Sequence, residues 1–136
     1  MTVPVATLYL DSSAVVKLVQ TERESVALRR YLRRHRSLLR ATCALARVEV
    51  VRAVAPGGFR ATALARRQLG RVHQLDLDRE LLDRAASLPA GALVRSLDAV
   101  HLAAAQTLPA LQAVVTYDHR MQAAAQEVGL PVEAPS

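Results

Sequence analysis

Short apolar segments typical of buried β-strands alternate along this chain with longer segments of helical periodicity. The strand-like segments lie at 6–10, 37–42, 73–78 and 113–117, and residues 130–132 form a candidate edge strand. Strands connected through helices run parallel, and a parallel sheet is covered by helices on both faces. The alternation therefore predicts an α/β protein with three layers, α/β/α, around a central, mostly parallel sheet of about four or five strands.

Capping residues and helix-breaking residues set the predicted helix boundaries. Helices are expected after Asp11-Ser12-Ser13, over 23–35, 60–72 and 79–88, over 97–108 with Ser96 as the cap, and from Asp118 to Gly129. Residues 44–54 are ambiguous, because their valine content favours a strand while their length and Ala-Leu-Ala start favour a helix.

The length and composition indicate one domain over residues 1–136. Half of the residues are apolar, but only three Tyr and one Phe are present, so Ala, Leu and Val must fill the core. Cys43 is the only cysteine, which excludes an internal disulfide and a cysteine zinc cluster. No apolar run approaches the roughly 20 residues of a membrane span. The N-terminus lacks a signal-peptide pattern, so we expect a cytoplasmic protein without a membrane partner.

The chain is basic, with 18 Lys and Arg against 12 Asp and Glu and a formal net charge of +6. Lys17 is the only lysine, and a preference for arginine over lysine is also what a GC-rich genome produces. Genome composition does not explain the excess of basic over acidic residues. Arginine guanidinium groups bind phosphate, and a basic surface attracts nucleic acid. The densest basic run, at 29–36, has a helical pattern and is either a solvated face, the commoner case, or a binding surface.

Four acidic residues lie within or at the ends of apolar segments: Asp11, Glu49, Asp98 and Asp118. Each has an ordinary structural explanation when taken alone. Asp11 and Asp118 are common helix-cap residues, Asp98 lies in a first helical turn, and Glu49 could pair with Arg52. Their joint placement is less ordinary, because an ionised carboxylate in apolar surroundings is costly unless a positive group pairs with it.

These four acids are expected to converge, since ligands in parallel α/β sheets bind beyond the carboxyl ends of the strands. Asp11 and Asp118 each follow a predicted strand. A cage of carboxylates suits a hard divalent cation such as Mg²⁺, and such a cage on a basic protein indicates phosphate chemistry. Phosphate-binding loops, dinucleotide fingerprints, zinc-type histidine spacings and nucleophile elbows are absent from the sequence. His101 is interpreted as a packed core histidine rather than a metal ligand.

Four segments, in order, resemble the motifs of the PIN-domain ribonucleases, and among these the VapC-type toxins of bacterial type II toxin–antitoxin pairs. LYLDSSAVVKLVQTE carries Asp11 and Ser13, CALARVEVVRA carries Glu49, LVRSLDAVHLAAA carries Asp98, and VVTYDHRMQAAAQEVGLPV carries Thr116 and Asp118. The resemblance covers nearly the whole chain, implies a PIN-like fold and favours a helix for 44–54. One departure is Cys43, which stands where many members carry a serine.

The resemblance implies an endoribonuclease that depends on Mg²⁺, or on Mn²⁺ in its place, and forms no covalent intermediate. Asp11 and Asp98 would be the main metal ligands, with Glu49 and Asp118 completing the set directly or through water. Ser13 and Thr116 would orient carboxylates or water.

The resemblance also implies partners: an RNA substrate, a second copy of the chain in a homodimer, and a small cognate antitoxin that alone would contact DNA. Two alternatives stay open at this point. One is a PIN-like nuclease of RNA processing or repair without a toxin role. The other is a non-catalytic nucleic-acid-binding or scaffolding domain whose acids only cap helices.

Overall fold

The computed structural model describes residues 5–89 and 94–136. Its five strands pair in parallel throughout, in the order β3-β2-β1-β4-β5. The strands are β1 Thr7–Leu10, β2 Leu39–Cys43, β3 His73–Leu75, β4 Leu111–Val115 and β5 Val132–Glu133. The predicted fold class, an α/β protein with a parallel sheet of four or five strands, is confirmed.

In the described part of the chain, seven α-helices connect these strands. They are α1 Ser12–Val19, α2 Ser25–Arg34, α3 Ala46–Val54, α4 Phe59–Leu69, α5 Arg79–Ala86, α6 Ser96–Gln106 and α7 His119–Glu127, with a 3-10 helix at Ala55–Gly57. Residues 44–54, ambiguous by their pattern, thus form mainly a helix, as the family resemblance favours. Within the described residues, no helix has both the length and the apolar composition needed to cross a membrane.

The central strand β1 contributes side chains to a hydrophobic core on each face of the sheet. Leu8 and Leu10 belong to a core with α1 to α4, whereas Tyr9 belongs to a core with α5 and α6. Alternation along a strand sends successive side chains to opposite faces, so a strand covered on both faces carries consecutive apolar residues, here Leu8, Tyr9 and Leu10. All three of these side chains have no exposed surface. The helices therefore form a layer on each face, as expected.

Several predicted boundaries are wrong in detail, among them the ends of β2 and α4, which lie at Leu39–Cys43 rather than 37–42 and at Leu69 rather than residue 72. Strand β3 ends at Leu75 rather than residue 78, because Asp78 instead caps α5 and accepts a hydrogen bond from the Leu81 backbone N–H. Strand β4 lies two residues earlier than predicted, which places Thr116 just beyond its end. Ser96 is the first residue of α6 rather than its cap, and the cap position is held by Arg95 without a side-chain hydrogen bond.

Candidate active site

Asp11 follows β1 and caps α1 from a buried position, with only 4% of its surface exposed. Its Oδ1 accepts hydrogen bonds from the Ser13 hydroxyl at 2.6 Å and the Ala14 backbone N–H at 3.1 Å. Its Oδ2 accepts a hydrogen bond from the Thr116 hydroxyl at 2.5 Å. Donors on two elements therefore fix this carboxylate.

Ser13 and Thr116 also connect α1 to the segment after β4. The Tyr117 backbone N–H donates to the Ser13 hydroxyl oxygen at 3.0 Å, and the Asp118 backbone N–H donates to the Thr116 hydroxyl oxygen at 3.2 Å. Each hydroxyl thus donates a hydrogen bond to Asp11 and accepts one from a backbone N–H group in the segment after β4. This pattern gives both side chains an orienting part in the structure.

Glu49 projects from α3 toward α1 and α6. Its Oε1 accepts a hydrogen bond from the Ser12 hydroxyl at 2.7 Å and lies 2.7 Å from His101 Nε2. The other ring nitrogen of His101, Nδ1, lies 2.7 Å from the Tyr9 hydroxyl and 3.7 Å from Cys43 Sγ. A chain of contacts therefore runs from Tyr9 in the core, through His101, to the Glu49 carboxylate.

Asp98 and Asp118 form the other side of the site, with Arg95 beside them. Arg95 Nε lies 3.5 Å from Asp98 Oδ2, and Arg95 Nη2 lies 3.6 Å from Asp118 Oδ2. These are charge contacts, and Asp98 Oδ2 is buried without any hydrogen-bond partner in the described structure. Asp118 caps α7 and accepts hydrogen bonds from the backbone N–H groups of Arg120 and Met121.

All four predicted acids line one cleft of about 450 Å³ at the carboxyl edge of the sheet. The lining residues are Asp11, Ser12, Ser13, Glu49, Arg95, Ser96, Leu97, Asp98, His101 and Asp118. Thr116 is not among them and reaches the cleft only through its hydrogen bond to Asp11.

The donor set is chemically suited to a hard cation, but it is not arranged as a finished coordination sphere. Within residues 5–89 and 94–136, no three His, Cys, Asp and Glu side chains are grouped so as to hold a metal ion. Glu49 is engaged by Ser12 and His101, and Arg95 is the positive group beside Asp98 and Asp118. The feature that fits a cation is Asp98 Oδ2, which is buried and has no hydrogen-bond partner among the described residues, since buried polar atoms normally have one.

The environments of three acids shift their pKa values in different directions. Burial raises the pKa of Asp11, against the hydrogen bonds from Ser13 and Thr116. Burial and the charge of Asp118 raise the pKa of Asp98, with Arg95 opposing. Burial also acts to raise the pKa of Glu49, but the contacts with His101 and Ser12 outweigh this effect and lower that pKa.

His101 is the residue whose role the sequence interpretation missed in part. It is buried and bonded in the core as predicted, with 3% of its surface exposed, but it also touches Glu49. Burial acts to lower its pKa, while contacts with Cys43 and Glu49 raise that pKa to about 10. The available signal was its position three residues after Asp98, which places both on one face of α6.

Comparisons with known proteins identify the family of the chain. The family model described as PIN domain matches residues 8–127. Ribonuclease VapC46 of Mycobacterium tuberculosis is 48% identical over 132 residues, covering 96% of this chain and 99% of the relative. Ribonuclease VapC35 of the same species is 42% identical over 134 residues, covering 94% of this chain and 96% of the relative.

A solved structure shows the same fold. The crystal structure of Mycobacterium tuberculosis VapC20, described as a sarcin-ricin loop cleaving toxin, superposes with a TM-score of 0.71. It shares 17% sequence identity, with 95% of this chain and 99% of the other covered, so the likeness concerns the fold alone. By its family match and its close relatives, the chain belongs to the PIN-domain family, in the branch of the VapC ribonucleases.

Proposed function

We propose that this protein is a metal-dependent endoribonuclease that acts as the toxin of a toxin–antitoxin pair. The observation that carries the proposal is the cleft itself, which gathers four acids from four different elements in a protein of net charge +6. Burying carboxylates side by side is unfavourable, as the raised pKa of Asp98 beside Asp118 illustrates. The ribonuclease names of the relatives support the substrate class, and the toxin role is the one printed for VapC20, which shares the fold.

We assign Asp11 and Asp98 as the main metal ligands, with Glu49 and Asp118 completing the set. When bound there, Mg²⁺ or Mn²⁺ would lower the pKa of a water molecule and stabilise negative charge on the scissile phosphate. Ser13 and Thr116 hold Asp11 in one orientation through their short hydrogen bonds.

Glu49 is suited to hold a cation, directly or through water. Its carboxylate borders the cleft, and the contacts with His101 and Ser12 lower its pKa against the effect of burial, which keeps it ionised at neutral pH. The contacts with Ser12 and His101 use Oε1, and neither uses Oε2.

The proposal includes partners of the kinds that VapC toxins imply. These are an RNA substrate and a small cognate antitoxin, with DNA contacted only through the antitoxin. A homodimer and a cytoplasmic location remain predictions. The identity of the RNA depends on contacts beyond the acids, since proteins usually read RNA sequence in single-stranded loops.

The function is tested by incubating purified protein with total RNA in Mg²⁺, in Mn²⁺ and in EDTA. We expect cleavage with either metal and none in EDTA. Expression of the wild type should arrest growth, whereas the Asp98→Asn variant should not. A protein that cleaves RNA but leaves growth unaffected would favour a processing or repair nuclease, and absence of cleavage with either metal would contradict the proposal.

A further inference from the structure

A depression lined by arginines lies away from the acidic cleft. It has a volume of about 190 Å³, and its lining residues are Leu18, Arg29, Leu32, Arg33, Arg40, Gln68 and Arg71. The four arginines come from α2, from β2 and from the segment before β3. None of the seven lining residues is acidic.

These arginines lack charge partners. Within residues 5–89 and 94–136, the ion pairs found involve Lys17, Arg95 and His101 as the cations, and none of the four arginines. Arg40 is half-buried, and burial together with the charge of Arg71 lowers its pKa. A partly desolvated cation beside a like charge is unfavourable unless an anion joins it.

The depression lies at the opposite edge of the sheet from the acids. Arg40 is the second residue of β2, and Arg71 lies two residues before the start of β3. Because all strands run parallel, these positions are at the amino edge, whereas Asp11 and Asp118 follow the carboxyl ends. The length of a strand separates the two sites by roughly 10–15 Å along the sheet.

Helix C-termini also lie at the amino edge and attract cations, which gives the arginines a purely structural alternative. This alternative accounts for Arg29, whose Nη2 donates to the Leu18 carbonyl oxygen near the end of α1. By its position in the last turn of α2, Arg33 also suits this alternative, but Arg40 and Arg71 do not. The carbonyls of the last turn of α4 accept from the backbone N–H groups of Gly70, Arg71 and Val72 and from the Gln74 side chain. Within the described residues, no hydrogen bond joins these carbonyls to the guanidinium groups of Arg40 or Arg71.

We propose that Arg33, Arg40 and Arg71 form an anion site that binds a phosphate group of an RNA backbone outside the catalytic cleft. Guanidinium groups bind phosphate bidentately, and the depression has room for such a group rather than for a folded peptide element. The choice of RNA as the source of the phosphate rests on the proposed ribonuclease function. The site would hold RNA that extends beyond the cleaved bond.

The first test uses inorganic phosphate as the probe and measures thermal unfolding in EDTA. The ionic strength is held constant with chloride. We expect phosphate to raise the midpoint by about 2–4 °C in the wild type. The double variant Arg40→Gln/Arg71→Gln should lose this rise, and Arg33→Gln/Arg71→Gln, which changes only exposed side chains, should lose most of it.

A matched control removes the same charge elsewhere. Arg60→Gln/Arg79→Gln alters two exposed arginines that do not line the depression, and it should keep the full phosphate effect. If the arginines only stabilise helix ends, the variants at the depression will melt lower than the wild type and phosphate will shift no midpoint. That result would overturn the anion site.

The second test identifies RNA as the source of the phosphate. Binding of a labelled single-stranded RNA is measured against salt concentration, with all variants in an Asp98→Asn background. Loss of the one phosphate held by this site should reduce the slope of log K against log salt by about 0.7. The control pair should leave the slope unchanged. An unchanged slope at Arg40→Gln/Arg71→Gln would overturn the assignment to RNA.

The outcomes separate this site from the ribonuclease proposal. A protein that shows the phosphate effect but cleaves no RNA would retain the anion site and lose the proposed function. A protein that cleaves RNA with Mg²⁺ but shows neither effect at the arginines would retain the function and lose the anion site.

Discussion

The two walls of the acidic cleft are built differently. On one wall, Asp11 receives three hydrogen bonds of 2.5–3.1 Å, and Glu49 is held by two contacts of 2.7 Å. On the other wall, Asp118 accepts two backbone hydrogen bonds, but one oxygen of Asp98 has no hydrogen-bond partner among the described residues. Both acids face Arg95, at 3.5 and 3.6 Å. The Arg95 side chain is 62% exposed, so its pairing with these acids is weak.

This difference suggests a division of roles within one site. The Asp11–Glu49 wall is oriented by the fold itself, because its partners belong to α1, α6 and the segment after β4. The Asp98–Asp118 wall carries unfavourable electrostatics that a bound cation would relieve. Substitutions on the two walls should therefore have similar effects on activity but different effects on stability.

The largest expected effect is the loss of activity when either wall loses its main ligand. Asp11→Asn and Asp98→Asn should each lower RNA cleavage by more than about 100-fold, since changes to the partners of metal ligands alone commonly cost 10–100-fold. Initial cleavage rates in Mg²⁺, with circular dichroism as a check of folding, measure this. If only Asp11→Asn loses activity, the second wall is not part of the catalytic site.

A smaller loss of RNA cleavage is expected when His101, which contacts Glu49, is substituted. His101→Asn should lower cleavage by about 10–100-fold, because Glu49 loses its contact with Nε2. Cys43→Ser is the matched control, since Cys43 meets the same ring only at 3.7 Å, and it should keep nearly full activity. Equal losses in both variants would indicate general damage to the core.

In the metal-free protein, substitutions on the two walls should change the free energy of unfolding differently. Asp11→Ala should lower the free energy of unfolding by about 1–2 kcal/mol, because α1 loses its cap and two hydroxyls lose their acceptor. Asp98→Ala should leave it unchanged or raise it, because repulsion from Asp118 and a buried oxygen without a partner are both removed. Urea unfolding in EDTA measures both, and destabilisation by Asp98→Ala equal to that of Asp11→Ala would contradict the comparison.

The smallest effect is expected at Arg95. Arg95→Gln removes a cation that faces Asp98 and Asp118 and should strengthen Mg²⁺ binding by about two- to fivefold, as exposed pairs contribute about 0.2–1 kcal/mol. Titration with Mg²⁺ monitored by the unfolding temperature would show this. Weaker Mg²⁺ binding in the variant would mean that Arg95 supports the second wall instead of competing for it.

Local chemistry explains what the sequence could predict. The sequence predicts Asp11 and Asp118 at the ends of strands, because a cap residue after an apolar run is a signal contained within a few positions. Residues 44–54 were undecided by pattern, and their helix followed from the resemblance. The placement of Glu49 therefore could not be derived from periodicity alone.

What the sequence could not predict depends on packing between distant segments. The contact between His101 and Glu49 joins residues 52 positions apart, and the hydrogen bond from Thr116 to Asp11 joins residues 105 apart. The arginine depression likewise needs β2 and the segment before β3 to lie side by side. No local propensity encodes these distances, and the extent of the single domain stays a prediction.

The central claim is that the two walls make one metal site, and calorimetric titration tests it most directly. Mg²⁺, or Mn²⁺ in parallel, is titrated into metal-free wild type, Asp11→Asn and Asp98→Asn. The account predicts saturable binding to the wild type and affinity at least about tenfold weaker in both variants, one from each wall. Binding to Asp98→Asn with wild-type affinity would contradict the account, because the acids of the second wall would then not share the metal.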